Sequence, residues 1–490
     1  MEAGKGKPKS LKEKTISGMI WSSIGRFGTM GLGFISNLVL ARLLMPSDFG
    51  VIGMLHVFIA VSGVFVTAGF GSALIQKKNP THVDYTSVFW WNLAAAIVFY
   101  WILFFCGPLI ARFYEMPELC PVLRVQSLSL IIQAFSVVQT NQLRKRLRFK
   151  QLSMRSLTAA FAGAVVGITM ALLGFSYWSL VASSLVASLA GVLLLWRLSN
   201  WRPTLEFSLQ SLKELFAFGG LMALSALVEE VYTNLQSLII GKWYSPKDLG
   251  YYTQARKLED VPTLSLSHIV NQVSFPVFSS LQDDHTRLVT ALRKNSRSIN
   301  YINFPLMALL IVIARPLIML LYGAKWEISI PYFQILCISS LVFSMNTLNT
   351  NIIKSLGRGK LYFWVQLIKR IIGLVLIILG ARAGMMPLMW ALTAIGYTSI
   401  VINMYVTGRL IGYGIGKQVR DLAGYFMATL FSAGVVYLLG LVLPFHPYLV
   451  MLVQILVFAG LYIGLSLLFK FESFYTYLDI ARNYLKRLKK

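Results

Sequence analysis

The chain has 490 residues, 56% of them hydrophobic and 13% charged, with a mean hydropathy of +0.66. So little charge cannot cover a water-soluble core, which excludes an ordinary soluble protein and defines an integral membrane protein. The formal charge of +26 would suggest nucleic acid in a soluble chain, but in a membrane protein cations gather in cytoplasmic loops, so no nucleic-acid partner is expected.

The N-terminal stretch MEAGKGKPKSLKEK has the basic character of a signal-peptide start. The apolar run behind it, 16 to 40, is too long for a signal peptide, is interrupted by Arg26 and lacks a small-x-small cleavage site. It reads as a retained first transmembrane helix with a cytoplasmic N-terminus. Thirteen further segments follow that can span at roughly 20 residues each. They are 49 to 75, 86 to 111, 121 to 142, 152 to 174, 176 to 199, 213 to 241, 248 to 280, 298 to 322, 330 to 354, 361 to 381, 385 to 411, 419 to 443 and 447 to 469. No linker leaves room for a sizeable soluble domain.

With the N-terminus inside, most of the 45 Lys and Arg residues fall in cytoplasmic segments, the densest being RKRLRFK at 144 to 150 and the tail ARNYLKRLKK. Topology accounts for both clusters. The alternative is recognition of anionic headgroups at the inner leaflet. Both termini are therefore expected in the cytoplasm. Cys106, Cys120 and Cys337 lie far apart without metal-binding spacing, and neither a disulfide framework, a metal site nor a cofactor is expected.

A repeat organises the chain. LLMPSDFG at 43 to 50 returns as WYSPKDLG at 243 to 250, so Pro46, Asp48 and Gly50 match Pro246, Asp248 and Gly250. GPLIARFY at 107 to 114 aligns with RPLIMLLY at 315 to 322, and Asn141 falls on Asn349. The reading is two parallel six-helix lobes, 1–199 and 213–411, related by a pseudo-twofold axis along the membrane normal. A two-helix hairpin at 419–469 and a basic tail at 470–490 follow. The fold class expected is all-α and polytopic, with about fourteen spanning helices and a central cavity suited to alternating access.

Ionisable side chains near the bilayer centre are costly and need a partner, a cavity or a route to the interface. Arg26 lies about ten residues into the first helix, roughly 15 Å deep, on a face with Ser22, Gly33 and Asn37. Helix 7 carries Glu229 and Glu230 at similar depth. In helix 8, Arg256, Asp260, Thr263, Ser267 and Asn271 make one polar stripe flanked by Lys257 and Glu259, with Pro262 beside it. His56 stands in the repeat position of Arg256, and Lys369 and Arg370 form a third cationic group in helix 11. One reading makes these internal ion pairs, Arg26 with Glu229 and Arg256 with Asp260. The other makes them the lining of a cavity whose surplus cations attract an anionic substrate, with phosphate the obvious candidate.

The run WSSIGRFGTMGLGFISNLVLARLLMPSDFGVIGM, the segment GFGSALIQKK, the loop NQLRKRLRFKQL, and GYYTQARKLEDVP followed by FPVFSSLQDD extend the argument. Together they resemble bacterial polysaccharide (Wzx-type) flippases of the multidrug/oligosaccharidyl-lipid/polysaccharide exporter superfamily. The resemblance covers most of the chain. It implies a V-shaped pair of bundles with a cationic cavity and, in the last two helices, the extra pair of fourteen-helix members. It implies export across the bacterial inner membrane of an undecaprenyl-diphosphate-linked oligosaccharide, destined for O-antigen, capsule or exopolysaccharide. The partners implied are that anionic lipid-linked oligosaccharide, membrane lipids, and a polysaccharide polymerase with its glycosyltransferases, the carrier itself acting as a monomer. A lipid II flippase of peptidoglycan synthesis and a multidrug exporter are the alternatives within the superfamily. The latter predicts carboxylates in excess of cations, the reverse of what stands here. An enzyme, such as a membrane glycosyltransferase or an O-antigen ligase, is not expected: loops are short, and no Walker A, HExxH or Ser/His/Asp pattern occurs. Asp283-Asp284 reads as a solvated turn.

Overall fold

Peptide groups in a bilayer find no water, so an apolar spanning run satisfies them within a helix. The computed structural model describes residues 11–67 and 69–488, and among these no strand occurs. The first helices are α1 (Leu11–Leu43), α2 (Pro46–Thr67), α3 (Phe70–Gln76), α4 (His82–Tyr114), α5 (Leu119–Gln126), α6 (Leu128–Lys145), α7 (Phe149–Leu172), α8 (Trp178–Leu198) and α9 (Leu209–Trp243). Then come α10 (Pro246–Ser280), α11 (His285–Val312), α12 (Ala314–Leu321), α13 (Ser329–Ser340), α14 (Phe343–Ser355), α15 (Gly359–Ala383), α16 (Met385–Ile411), α17 (Ile415–Val442), α18 (Pro447–Leu468) and α19 (Glu472–Leu488).

Among the described residues, 11 helical stretches are long and apolar enough to cross a membrane, or 13 if two bent pairs each count as one span. The segment drawn at 248 to 280 is α10, a continuous helix of 35 residues too polar to join that set. The structure is thus all-α and polytopic. Several runs drawn as single helices are broken: 121 to 142 at Ser127, 330 to 354 at Leu341 and Val342, and α11 from α12 by a 73° bend. Pro316 stands in the first turn of α12 and has no N–H to carry the α11 ladder across that bend. Its repeat counterpart Pro108 lies inside the continuous α4. A 62° bend separates Leu209–Ala217 from Met222–Trp243 in α9, where Gly219 and Gly220 stand. Gly69, at φ +72, crosses α9 there, so close that a Cβ would lie 2.0 Å from the Gly219 carbonyl oxygen.

The chain divides into two compact units, Met1–Gly250 and Tyr251–Lys490. The lobes drawn at 1–199 and 213–411 follow sequence similarity, whereas these units follow packing, and α9 packs against α2, α3 and α4 of the first unit. That unit contains an aromatic cluster in which Phe89 meets Trp90, Phe135, Trp196 and Trp201 edge-on, with ring centroids 5.4 to 6.3 Å apart. Its α7 and α8 approach through small residues: a Cβ on Gly163 would meet the Ser183 carbonyl oxygen at 2.7 Å, and one on Gly167 the Ser183 Cβ at 2.8 Å.

The recurring Pro-x-Asp-hydrophobe-Gly turn opens α2 and α10. Proline takes the first helical position, where a missing N–H costs nothing. Two residues on, the aspartate reaches back to the residue that caps the helix. Asp48 Oδ2 accepts from the Met45 N–H at 2.8 Å, and Asp248 Oδ2 accepts from the Ser245 N–H at 3.3 Å and the Ser245 hydroxyl at 2.6 Å. Ser176 adds a second donor to Asp48, which is buried.

Prolines inside helices leave carbonyls without their ladder partner, and neighbouring helices supply donors. Pro108 in α4 removes the N–H that would meet the Phe104 carbonyl; Arg124 Nε of α5 donates to that oxygen at 3.3 Å, its guanidinium 4.1 Å from the Phe104 ring centroid. Within the second unit, Pro305 does the same to Tyr301 in α11, whose carbonyl accepts from the Tyr462 hydroxyl of α18 at 3.1 Å. Tyr301 in turn meets Ser466 of α18 at 3.0 Å. Arg297 of α11 pairs with Asp421 of α17 at 2.6 Å and with Glu472 of α19 at 3.1 Å.

Candidate functional site

Each unit carries a polar helix face. In the first unit, α1 packs against α7. The Ser153 hydroxyl donates to the Trp21 carbonyl at 2.6 Å, and Gly25 sits so close to Ser153 that a Cβ would fall 2.3 Å from its hydroxyl oxygen. Helical geometry turns Arg26 about 100° away from that contact. Arg26 is exposed, and among the described residues it has no ion pair, so the pairing with Glu229 weighed from the sequence is not formed by it. A Cβ on Gly33, which shares its face, would meet nothing within 4 Å.

Across α2 and α9 of the same unit, His56 Nδ1 lies 3.2 Å from Asn234 Oδ1, and Asn234 Nδ2 donates to Glu230 Oε1 at 2.9 Å. His56 is exposed and Glu230 half-buried, so a short polar relay runs from one helix to the other. Glu229 is exposed on the adjoining face of α9. Asn234 was not marked by sequence reasoning, because its role depends on a partner 178 residues away.

In the second unit, Arg256 Nε lies 3.2 Å from Asp260 Oδ1 and 3.8 Å from Glu259 Oε2. The arginine side chain is 47% exposed, Asp260 31% and Glu259 1%, so the pair opens outward while Glu259 is buried beneath it. Glu259 Oε1 accepts from both Thr263 and Ser340 of α13, which ties α10 to its neighbour. The lower part of the stripe also packs: Asn351 of α14 donates to Asn271 Oδ1 at 3.0 Å. The stripe stays accessible at both ends: Arg256 and Asn271 are exposed and Asp260 is half-buried. Lys257 is exposed.

Lys369 and Arg370 sit in different surroundings. Lys369 is 9% exposed and lies 3.4 Å from Asn403 Oδ1, within a cluster in which Asn403 also donates to Asn346 and to Thr350. Arg370 is half-buried on the next position round α15. No group of three or more metal-ligating side chains occurs among the described residues.

Eleven or more helical stretches apolar enough to cross a membrane define a polytopic membrane protein. Among solved structures, the chain is similar to the lipid II flippase MurJ in an inward closed conformation, with 16% identity and a TM-score of 0.74 over 92% of this chain and 98% of that one. It is also similar to an inward-facing multidrug resistance MATE family transporter of the MOP superfamily, with 14% identity and a TM-score of 0.57 over 80% and 98%. These likenesses show that the chain shares the fold of those two transporters.

The chain belongs to the polysaccharide biosynthesis protein family, whose model matches residues 39–331. Its relatives include the lipopolysaccharide biosynthesis protein WzxC of Escherichia coli K12, 27% identical over 89% of both chains. The succinoglycan biosynthesis transport protein ExoT of Rhizobium meliloti is 28% identical over 84% of both. The teichuronic acid biosynthesis protein TuaB of Bacillus subtilis is 23% identical over 86% of this chain and 88% of that one.

Proposed function

We propose that the chain is an export flippase of the bacterial inner membrane that moves an undecaprenyl-diphosphate-linked oligosaccharide from the cytoplasmic to the outer leaflet by alternating access. Both termini face the cytoplasm. The observation that carries this reading is Arg26, an exposed guanidinium deep in a spanning helix with no carboxylate partner among the described residues. An unpaired charge at that depth is tolerable where water and an anion can reach it, and a diphosphate matches the guanidinium fork. The relatives' names, drawn from lipopolysaccharide, succinoglycan and teichuronic acid biosynthesis, give the cargo class its support. Arg256 with Lys257 and Asp260, and His56 with Glu229 on the first unit, are the further cargo or coupling residues. Lys369 and Arg370 contribute positive potential from the packing around α15.

The test is lipid flipping in proteoliposomes with a lipid-diphosphate-linked oligosaccharide. Arg26→Ala and Arg256→Ala are expected to abolish transport while inserting normally; unchanged rates in both would reject the cation site. Chromosomal depletion separates the cargoes. Loss of surface glycan with an intact wall supports the polysaccharide reading, and lysis supports lipid II instead.

A further inference from the structure

The first unit holds a histidine whose ring is oriented by its neighbours. His56 is exposed although Met54, Leu55 and Val57 around it in α2 are buried, so an apolar stretch presents one polar side chain outward. In α9, Asn234 donates its amide nitrogen to both the Glu230 carbonyl and Glu230 Oε1, each at 2.9 Å. Those two oxygens fix the amide, because the reverse orientation would set oxygen against oxygen. Asn234 Oδ1 is thereby turned toward His56 Nδ1, 3.2 Å away. Since that oxygen can only accept, Nδ1 carries the hydrogen and donates. An imidazole that donates through Nδ1 keeps Nε2 as its acceptor. Glu230 likewise uses one oxygen on Asn234 and keeps the other for a donor.

The repeat shows what this acceptor is suited to. In the register that places Pro46 on Pro246, His56 falls on Arg256 and Ala60 on Asp260. Arg256 takes a carboxylate partner from its own helix, with Asp260 Oδ1 at 3.2 Å, and presents N–H donors. His56 takes a neutral amide from another helix and presents an acceptor. Equivalent positions thus carry opposite hydrogen-bonding character. A diphosphate has only acceptors at membrane pH, so it matches Arg256 and finds no donor in Nε2. Sugar hydroxyls donate as well as accept, and a ring nitrogen and a carboxylate oxygen on one helix pair can take two of them. Two ligands do not make a metal site, and no group of three or more forms among the described residues.

We propose that the α2–α9 face reads the glycan of the cargo. His56 Nε2 accepts from a sugar hydroxyl, Glu230 takes a second, and Asn234 is the positioning residue that fixes the imidazole tautomer. The glycan assignment rests on the cargo class proposed above; the tautomer does not.

Nitrogen NMR of the full chain, labelled at its five histidines, tests the tautomer. At mildly alkaline pH the His56 signal, assigned by its loss in His56→Phe, should show a protonated Nδ1 and a bare Nε2. Asn234→Leu should shift it toward the Nε2-protonated form. Glu230→Gln, whose side-chain oxygen still accepts from Asn234, should leave it unchanged. Native mass spectrometry with bare undecaprenyl diphosphate and with undecaprenyl-diphosphate-linked glucose tests the ligand. The wild type should hold the glucose-linked lipid more tightly. His56→Phe should lower that preference about two- to tenfold, the effect of one hydrogen bond, without changing retention of the bare lipid. Equal loss on both lipids would make His56 a phosphate ligand and overturn the proposal. An unchanged preference in His56→Phe overturns it too, and so does an Nε2-protonated ring in the wild type. None of these results alters what Arg26→Ala does to flipping, so failure here and failure of the flippase reading are separately visible.

Discussion

Gly50 and Pro246 are in contact so close that a Cβ on the glycine would lie 1.7 Å from the proline carbonyl oxygen, and the relationship is reciprocal, for a Cβ on Gly250 would lie 1.8 Å from that of Pro46. The two copies of the repeated turn therefore clasp each other backbone to backbone. Glycine is required at both positions by this approach and not by a left-handed φ.

Gly50→Ala and Gly250→Ala should each lower stability by more than about 2 kcal/mol, because the obstacle is main chain that cannot swing aside. Gly31→Ala, where a Cβ meets nothing within 4 Å, should be neutral or stabilising by up to about 1 kcal/mol. Thermal unfolding of the three purified variants gives the comparison; equal midpoints would refute the clasp.

Arg124 should matter only because Pro108 is there. Arg124→Met leaves the Phe104 carbonyl without its donor and should cost about 1 to 3 kcal/mol. Adding Pro108→Ala restores the ladder N–H and should recover most of that loss. A double variant no more stable than Arg124→Met would show that the guanidinium acts by another route.

For Arg256 and Asp260, transport and stability should separate. If the pair only fastened the helix, removing both side chains would restore what removing one had taken. We expect Arg256→Ala with Asp260→Ala to regain stability but not flipping. Recovery of both would reduce the pair to a structural link. Lys369→Met, which removes an ammonium buried against Asn403, should keep stability within about 1 kcal/mol and cost transport less than Arg26→Ala does.

Lys77, in the link before α4, is hydrogen-bonded to Asp84 at 2.9 Å, and that bond raises the ammonium above its ordinary value. Stability from this pair is thus complete below the unfolded lysine's titration, near pH 10.4, and is lost as pH rises through the folded value. The unfolding midpoint should fall in that alkaline window, and Lys77→Met should remove this part of the decline. The pair is partly solvated, so the difference should stay below about 1 kcal/mol.

The positions of most spans were legible because hydropathy summed over about 20 residues records how much chain can enter a bilayer, whereas the polar segment 248 to 280 does not pass that test. Such a sum is blind to direction, and so the bends at Gly219 and Ile313 and the breaks at Ser127 and Leu341 were not. The Arg256–Asp260 pair was legible because a helix brings i and i+4 together. The Glu259–Ser340 bond and the His56–Asn234 contact span 81 and 178 residues, a distance over which one sequence without relatives carries no pairing signal. Lys369 looked like part of a cationic face because periodicity shows where a side chain sits on its own helix, not which neighbour covers it.

The hydroxyl of Tyr462 caps a carbonyl that Pro305 has orphaned, and this changes how the last two spanning helices should be regarded. They are no detachable appendix. A shortened chain ending before α17 would strand a bare peptide oxygen in hydrocarbon, so a lineage without the terminal hairpin would have to replace that proline or recruit another donor to its bend.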